Sequence, residues 1–273
     1  MMQAPGADHA FAGSIPELYD TLLVPLIFEP YAVDMAERAV ACTPAALLEV
    51  AAGTGAVTRA LAKALPHTTD IVATDLNPPM LERAAAVGTP RPVTWQQADA
   101  QQLPFDDHRF DVVVCQFGAM FFPDRPRAFA EARRVLRPGG TLLFNVWDRI
   151  EDNAFAHVVT LTLARLFPHN PPRFLARTPH GHHDRAAMEA DLRRGGFTAP
   201  ITSDTVIGHS RAQTAREPAV AYCQGTPLRS ELEALGPTAL SDATDACTNA
   251  LAAHFGSGPV EGKIQAIVFS VSA

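Results

Sequence analysis

The segment Glu49-Val50-Ala51-Ala52-Gly53-Thr54-Gly55 constrains the fold more than any other part of the chain. It follows the apolar run Ala45 to Leu48 and precedes a helical stretch from Thr58 to Ala64, so it reads as a strand, a tight glycine turn and a helix start. A second acidic residue, Asp75, closes the next apolar run, Ile71 to Thr74. In an open α/β sheet this spacing brings backbone N–H groups and a carboxylate to one crevice at the carboxyl ends of the strands, where a nucleoside can sit.

The kind of nucleoside follows from two residues. A dinucleotide site wants G-x-G-x-x-G, whose third glycine lets helix and strand pack closely, and here that position is Thr58. Glu49 stands just before the turn, where a carboxylate repels phosphates but attracts, directly or through water, the ammonium of a methionine moiety. The pattern suits a cationic ligand without phosphates.

With these residues in place, Leu48 to Gly55 resembles the first motif of class I S-adenosylmethionine-dependent methyltransferases, in particular the ubiquinone-biosynthesis-like, type 11 branch. Ala51 replaces that motif's first glycine, and a negative φ is expected there, where a methyl group is tolerated. The resemblance continues in order over roughly residues 46 to 148. Ile71 to Leu81 is similar to the second strand and its terminal acid. Ala98-Asp99-Ala100 with Leu103-Pro104-Phe105 resembles the adenine loop, Phe110 to Phe117 the fourth strand, and Val135 to Gly140 the turn into the fifth.

The resemblance implies S-adenosylmethionine as cofactor and S-adenosylhomocysteine as product, with a role for each matching residue. Glu49 before the turn and Ala51, Gly53 and Gly55 within it contact the cofactor, with close backbone approach at the glycines, and Asp75 holds the ribose diol by paired hydrogen bonds. Leu76 and Met80 cover one adenine face, Asp99 meets the exocyclic amine and the Ala100 amide a ring nitrogen. Gln116 and Phe117 border the methionine arm, and Tyr19 closes over its end. Each has a plainer alternative: Asp99 as a turn cap, Gln116 and Phe117 as a core strand end, Tyr19 as a core tyrosine.

On the acceptor side the candidates are Met120, Phe121, Trp147 and His183, the last within His180-Gly181-His182-His183-Asp184. Imidazole is both a base near neutrality and a metal ligand, but the spacing fits no standard zinc site, so no metal is expected and a polar loop is the simpler account. Asn77-Pro78-Pro79-Met80 looks like the motif of enzymes that methylate base amino groups, yet it follows the second strand rather than the fourth. Its prolines read as a helix start.

A net charge of −7 gives no reason to bind a phosphate backbone, so nucleic acid is not an expected partner. Arg125, Arg127, Arg133, Arg134 and Arg137, interleaved with Asp124 and Glu131, read as a solvated helix face. Leu22 to Phe28 is too short to span a bilayer and the start lacks a secretory pattern, while Cys42, Cys115, Cys223 and Cys247 form no C-x-x-C pair. These features predict a cytoplasmic enzyme with free thiols and a small-molecule acceptor; they assign no oligomeric state.

The predicted architecture is Rossmann-like α/β: a mostly parallel seven-stranded sheet with an antiparallel last strand, helices on both faces and a helical cap. Residues 1–45 read as an N-terminal helical segment over the cofactor site, with a small polar leader at 1–12 and breaks at Pro25 and Pro30. Residues 46–148 form the cofactor core, with its fifth strand at Leu142 to Trp147. Residues 149–273 supply the cap, about 150–184 and 212–256, and the last two strands, near Ile201 to Ile207 and Lys263 to Val271. The expected activity is methyl transfer to oxygen, nitrogen or carbon. Internal cyclisation of the sulfonium on the same fold is the alternative, and an NAD-type dehydrogenase a remote one.

Overall fold

The apolar runs of the first half form the middle of a seven-stranded sheet: β1 Ala46–Val50, β2 Asp70–Asp75, β3 Thr94–Gln97, β4 Phe110–Gln116, β5 Leu136–Trp147, β6 Thr202–Ala212 and β7 Val260–Ser272. The computed structural model describes Phe11 and residues 13–273; the polar leader read at 1–12 lies, Phe11 aside, outside the described residues. The strand order is β3-β2-β1-β4-β5-β7-β6. Strands β1 to β5 pair in parallel, and β7 runs antiparallel to β5, from Thr141↔Ser272 to Trp147↔Ala266. This is the architecture the sequence predicts. The order reverses on either side of β1, between β2 and β4, and such a switch point opens a crevice beyond the carboxyl ends of the strands.

The middle strands are buried on both faces, which is why their centres read as short apolar runs, Leu47-Leu48, Ile71-Val72-Ala73 and Val112-Val113-Val114. On one face, α2 (Glu29–Ala41) and α3 (Ala56–Ala64) pack Met35, Ala39, Val57 and Leu61 against Leu47, Ile71, Val112, Val114, Leu143 and Val268. On the other, Phe129 of α5 (Arg125–Val135) meets Phe144, which stacks on Phe269 at 4.8 Å. Helix α4 (Pro78–Val87) follows β2, with its two prolines in the first turn.

The chain divides into two compact units. One holds Glu29–Trp147, His182–Val206 and Ala266–Ala273, including α8 (Arg185–Arg194), whose Asp191 accepts from Arg125 at 2.6 Å. The other holds the described residues up to Phe28, Asp148–Gly181 and Ile207–Gln265. It contains α1 (Ile15–Leu18), α6 (Ala154–Leu166), α7 (Phe174–Arg177), α9 (Arg216–Gln224), α10 (Leu228–Glu233) and α11 (Ala239–Phe255). Among the described residues no helix is long and apolar enough to cross a membrane.

Two local expectations are corrected. Pro25 and Pro30 do not break the N-terminal helix: α1 passes into a π-helical stretch, Tyr19–Phe28, that contains Pro25, and then into α2. A proline removes a donor and crowds the carbonyl four residues earlier in an α-turn, and the wider turn relieves that crowding; Pro30 sits in the first turn of α2, where the α-ladder asks for no N–H. Strand β5 begins at Leu136, not Leu142, because Leu136 already pairs with Phe110; Arg137 to Gly140 then bulge out, with Gly139 left-handed at φ 79°, before pairing resumes at Val112↔Thr141.

Candidate cofactor site

The turn after β1 is left-handed at Ala51 (φ 55°), Gly53 (φ 57°) and Gly55 (φ 84°). Its backbone is fastened to β2: Ala52 N donates to Thr74 O at 2.8 Å and Gly53 N to Asp75 Oδ2 at 2.8 Å. Gly55 is needed for packing as well as for its dihedrals, since a Cβ there would stand 2.9 Å from Trp95 Cη2 and 3.2 Å from Ala84 Cβ. The negative φ expected at Ala51 is incorrect. The turn demands a left-handed residue, which costs a non-glycine residue about 1–2 kcal/mol. The methyl group is accommodated because residue 118 is glycine: a Cβ on Gly118 would lie 2.5 Å from Ala51 Cβ.

The register then collects polar groups on one sheet face. Pairings Glu49↔Ala73, Glu49↔Val114 and Gln116↔Asn145, with the two-residue period of a strand, put Asp75, Glu49, Gln116 and Asn145 on the same face as Leu47, Val114 and Leu143. That face is apolar until the carboxyl ends of its strands and polar there.

Each of these groups has a specific environment. Asp75 is buried and accepts from Gly53 N, from Asn77 N at 2.8 Å and from Asn77 Nδ2 at 3.3 Å; burial nevertheless raises its pKa above the ordinary carboxylate range. Glu49, 1% exposed, accepts from Thr58 Oγ1 at 2.6 Å, and burial pushes its pKa up to about 8, with Thr58 and Arg59 opposing and Asp75 reinforcing the rise. The Thr58 that departs from the dinucleotide pattern is therefore the hydrogen-bond partner of the acid. Asn145 Oδ1 accepts from Phe117 N at 2.8 Å. Its buried Nδ2, and the buried Thr54 Oγ1 in the glycine turn, find no partner among the described residues.

Beyond β4 the chain bends at Phe117, φ 52°, and its ring stacks on Trp147 at 3.9 Å with 7° between planes. Tyr31 of α2 stands edge-on to both rings at 5.3 Å. Met120 is buried and Phe121 half-buried in the short 3-10 turn Ala119–Phe121 that follows.

Further along the sheet edge, Met80 is buried on α4, and the half-buried Leu76 accepts at its carbonyl from Gln97 Nε2 at 3.0 Å. Asp99 Oδ1 accepts from Gln101 N at 2.8 Å, so Asp99 does cap a turn, and Ala100 next to it is buried. Tyr19 belongs to the other unit, where it stacks on Phe28 at 5.0 Å.

The histidines do not form one cluster: His180, in the other unit, places Nδ1 2.9 Å from Asp148 O, while His182 Nδ1 is 3.0 Å from Arg125 Nη1. His183 is half-buried just before Asp184, which caps α8. No group able to hold a metal occurs among the described residues, and the four cysteines are free. Sequence reasoning missed Asn145, whose signal was a single amide inside the apolar run Leu142 to Trp147, and it misread part of the basic face of α5, where Arg127 and Arg134 bond the loop after β3.

Residues 48–144 match a family model described as a methyltransferase domain. The ubiquinone/menaquinone biosynthesis C-methyltransferase UbiE of Burkholderia mallei is 32% identical over 165 residues, 56% of this chain and 67% of that protein. The chain belongs to the class I S-adenosylmethionine-dependent methyltransferase family. An uncharacterised protein of Mycobacterium tuberculosis is 33% identical to this methyltransferase homologue over 172 residues, 62% of this chain, and the match spans 60% of that relative's length. The solved structure of the [4+2]-cyclase SpnF shares the fold, with a TM-score of 0.55 and 20% identity over 89% of this chain and 80% of that one. The glycine turn, Asp75 and the loop at Asp99 lie at the ends of β1, β2 and β3 in that order.

Proposed function

We propose that this family member binds S-adenosylmethionine across the ends of β1, β2 and β4 and transfers its methyl group to a small organic acceptor. The observation that carries the reading is the Gly53 N–H to Asp75 Oδ2 hydrogen bond, which fixes a carboxylate beside a left-handed glycine turn at the switch point of the sheet. A carboxylate offers about four lone-pair sites, so Asp75 keeps acceptor capacity for a sugar diol beyond its backbone donors.

The residues present fit such a ligand. Thr54 Oγ1 and Asn145 Nδ2 are buried polar atoms awaiting partners, and Glu49 is an acid that an arriving cation would ionise. Bound there, S-adenosylmethionine supplies an electrophilic methyl carbon on a sulfonium. Asp75 would hold the ribose, Leu76, Met80, Asp99 and Ala100 the adenine, and Glu49 with Gln116 the methionine end. Phe117 would border the methionine arm and stacks on Trp147, which with Met120, Phe121 and His183 makes up the acceptor-side candidates. Orientation of a nucleophile in line with the methyl group can provide much of the acceleration. UbiE's name makes a quinol-type ring the first acceptor to try.

A second reading keeps the cofactor and changes the outcome: a pocket closed to acceptors would steer the sulfonium to internal cyclisation, and the fold alone does not separate the two. A dinucleotide is disfavoured by Thr58, whose hydroxyl is committed to a buried acid. Incubation with S-adenosylmethionine and a panel of phenolic, amine and thiol acceptors, read by mass spectrometry, tests the proposal. S-adenosylhomocysteine with a methylated acceptor supports it; methylthioadenosine alone supports cyclisation.

A further inference from the structure

The loop after β3 carries one isolated bridge of its own, Asp99 to Gln102, and α5 supplies further partners. Glu131 Oε2 accepts from Leu103 N at 2.8 Å, and Arg134 Nη2 donates to Leu103 O at 2.9 Å. Arg134 Nη1 donates to Phe105 O at 2.7 Å and to Asp107 Oδ1 at 2.8 Å. Arg127 Nε donates to Gln101 O at 2.9 Å, and the Asp124 amide donates to Gln101 Oε1 at 2.9 Å. Glu131 and Arg134 are themselves joined through two contacts of 2.8 Å. The neighbouring arginines do other work, Arg125 pairing with Asp191 and Arg137 with Asp111.

The position of these bonds matters more than their existence. Leu103 and Phe105 are buried and anchor the far half of the loop by apolar contact. The near half, Asp99 to Gln102, closes on itself through Gln102 N to Asp99 O at 2.9 Å and the Asp99 side-chain turn onto Gln101 N, and this small turn is tied to the rest of the fold by the α5 contacts at Gln101 and at the adjoining Leu103. Loop backbone groups that lack such partners stay with solvent and move. A planar guanidinium that bridges two carbonyls and two carboxylates fixes geometry in a way a point charge cannot.

We infer that Arg134, Glu131 and Arg127 are positioning residues for base recognition: through the loop they set Asp99 and Ala100 at the register where a carboxylate and an amide can discriminate adenine from other purines. The inference rests on the cofactor reading proposed above. None of these α5 residues need touch the ligand; they act through the loop.

Calorimetric titration of the full-length protein with S-adenosylhomocysteine and with S-inosylhomocysteine, which carries a carbonyl where adenine has its amine, tests this. The wild type is expected to prefer the adenine compound at least about tenfold. In Arg134→Ala that preference collapses toward unity, chiefly through lost affinity for the adenine compound, and Arg134→Lys does not restore it. Glu131→Gln, which keeps the side chain's size, shows the same loss in milder form and serves if Arg134→Ala does not fold. Undiminished preference in the variants, or an equal loss for both compounds, overturns the inference while leaving the cofactor reading intact. A wild type that binds neither compound removes that reading and the inference with it.

Discussion

The Gly53 amide donates to Asp75 Oδ2 at 2.8 Å, which makes the glycine turn after β1 and the acid closing β2 a single structural unit. Asp75 therefore has both a structural and a binding role. In Asp75→Ala the amides of Gly53 and Asn77 lose a charged acceptor, an interaction of about 1.5–3 kcal/mol. The expected result is a folded protein with a lowered melting temperature and at least about tenfold weaker S-adenosylmethionine binding. Unchanged calorimetric affinity removes the ribose assignment.

Glu49 predicts a pH dependence with a definite sign. In the native protein it keeps its proton up to about 8, because burial disfavours the charged form; unfolded, it releases it near ~4.3. Between these values the native state binds more protons than the unfolded one, so the unliganded protein loses stability as pH rises through that window, and this contribution levels off above pH 8. Glu49→Gln keeps a neutral acceptor for Thr58 and flattens the melting temperature against pH. Parallel pH profiles for wild type and variant contradict the assignment.

Ala51 and Gly118 are predicted to be energetically coupled. Gly118 has ordinary helical dihedrals, φ −97° and ψ −35°, so alanine there is conformationally free, but its Cβ would stand 2.5 Å from Ala51 Cβ and 2.8 Å from Cys115 Sγ. Gly118→Ala should cost about 1–3 kcal/mol by overpacking. Adding Ala51→Gly removes the closer clash and returns part of that cost, leaving the Cys115 contact. Strictly additive denaturation midpoints in the double-mutant cycle would show that the two positions do not share this space.

The contrast between what was and was not legible in the chain has a physical basis. Strands β1, β2, β4 and the second half of β5 were readable because burial on both faces makes them largely apolar runs, and the order of their terminal acids and glycines located the crevice. Strand β3 was obscure because its residues, Thr94 to Gln97, are partly exposed at the sheet edge and carry no apolar run. The φ of Ala51 was misjudged because alanine is a poor marker of a left-handed turn; only the glycine facing it, sixty-seven residues later, shows how the methyl group fits. Pro25 reads as a break in any α-periodic pattern, and nothing local in the sequence announces a π-helix. The polar face of α5 looks solvated since its partners are mostly backbone carbonyls and amides of a distant loop, which carry no sequence signature.

Asn145 gives a further test. Its Oδ1 holds the amide of Phe117 at 2.8 Å, where the chain turns left-handed and aims the ring onto Trp147. Asn145→Leu removes that acceptor, while the longer contact of the same amide to the backbone carbonyl of residue 145, 3.3 Å, remains. The expected loss is about 1–3 kcal/mol of stability, accompanied by a weaker near-ultraviolet signal from the Phe117–Trp147 stack. A variant with wild-type stability and an unaltered aromatic signal contradicts this role.

The most direct measurement is a pair of calorimetric titrations of the wild-type protein, one with S-adenosylhomocysteine and one with NADH, at the same pH and salt. The account predicts saturable binding of the S-adenosyl compound and none of the dinucleotide; tight NADH binding with indifference to S-adenosylhomocysteine would contradict it.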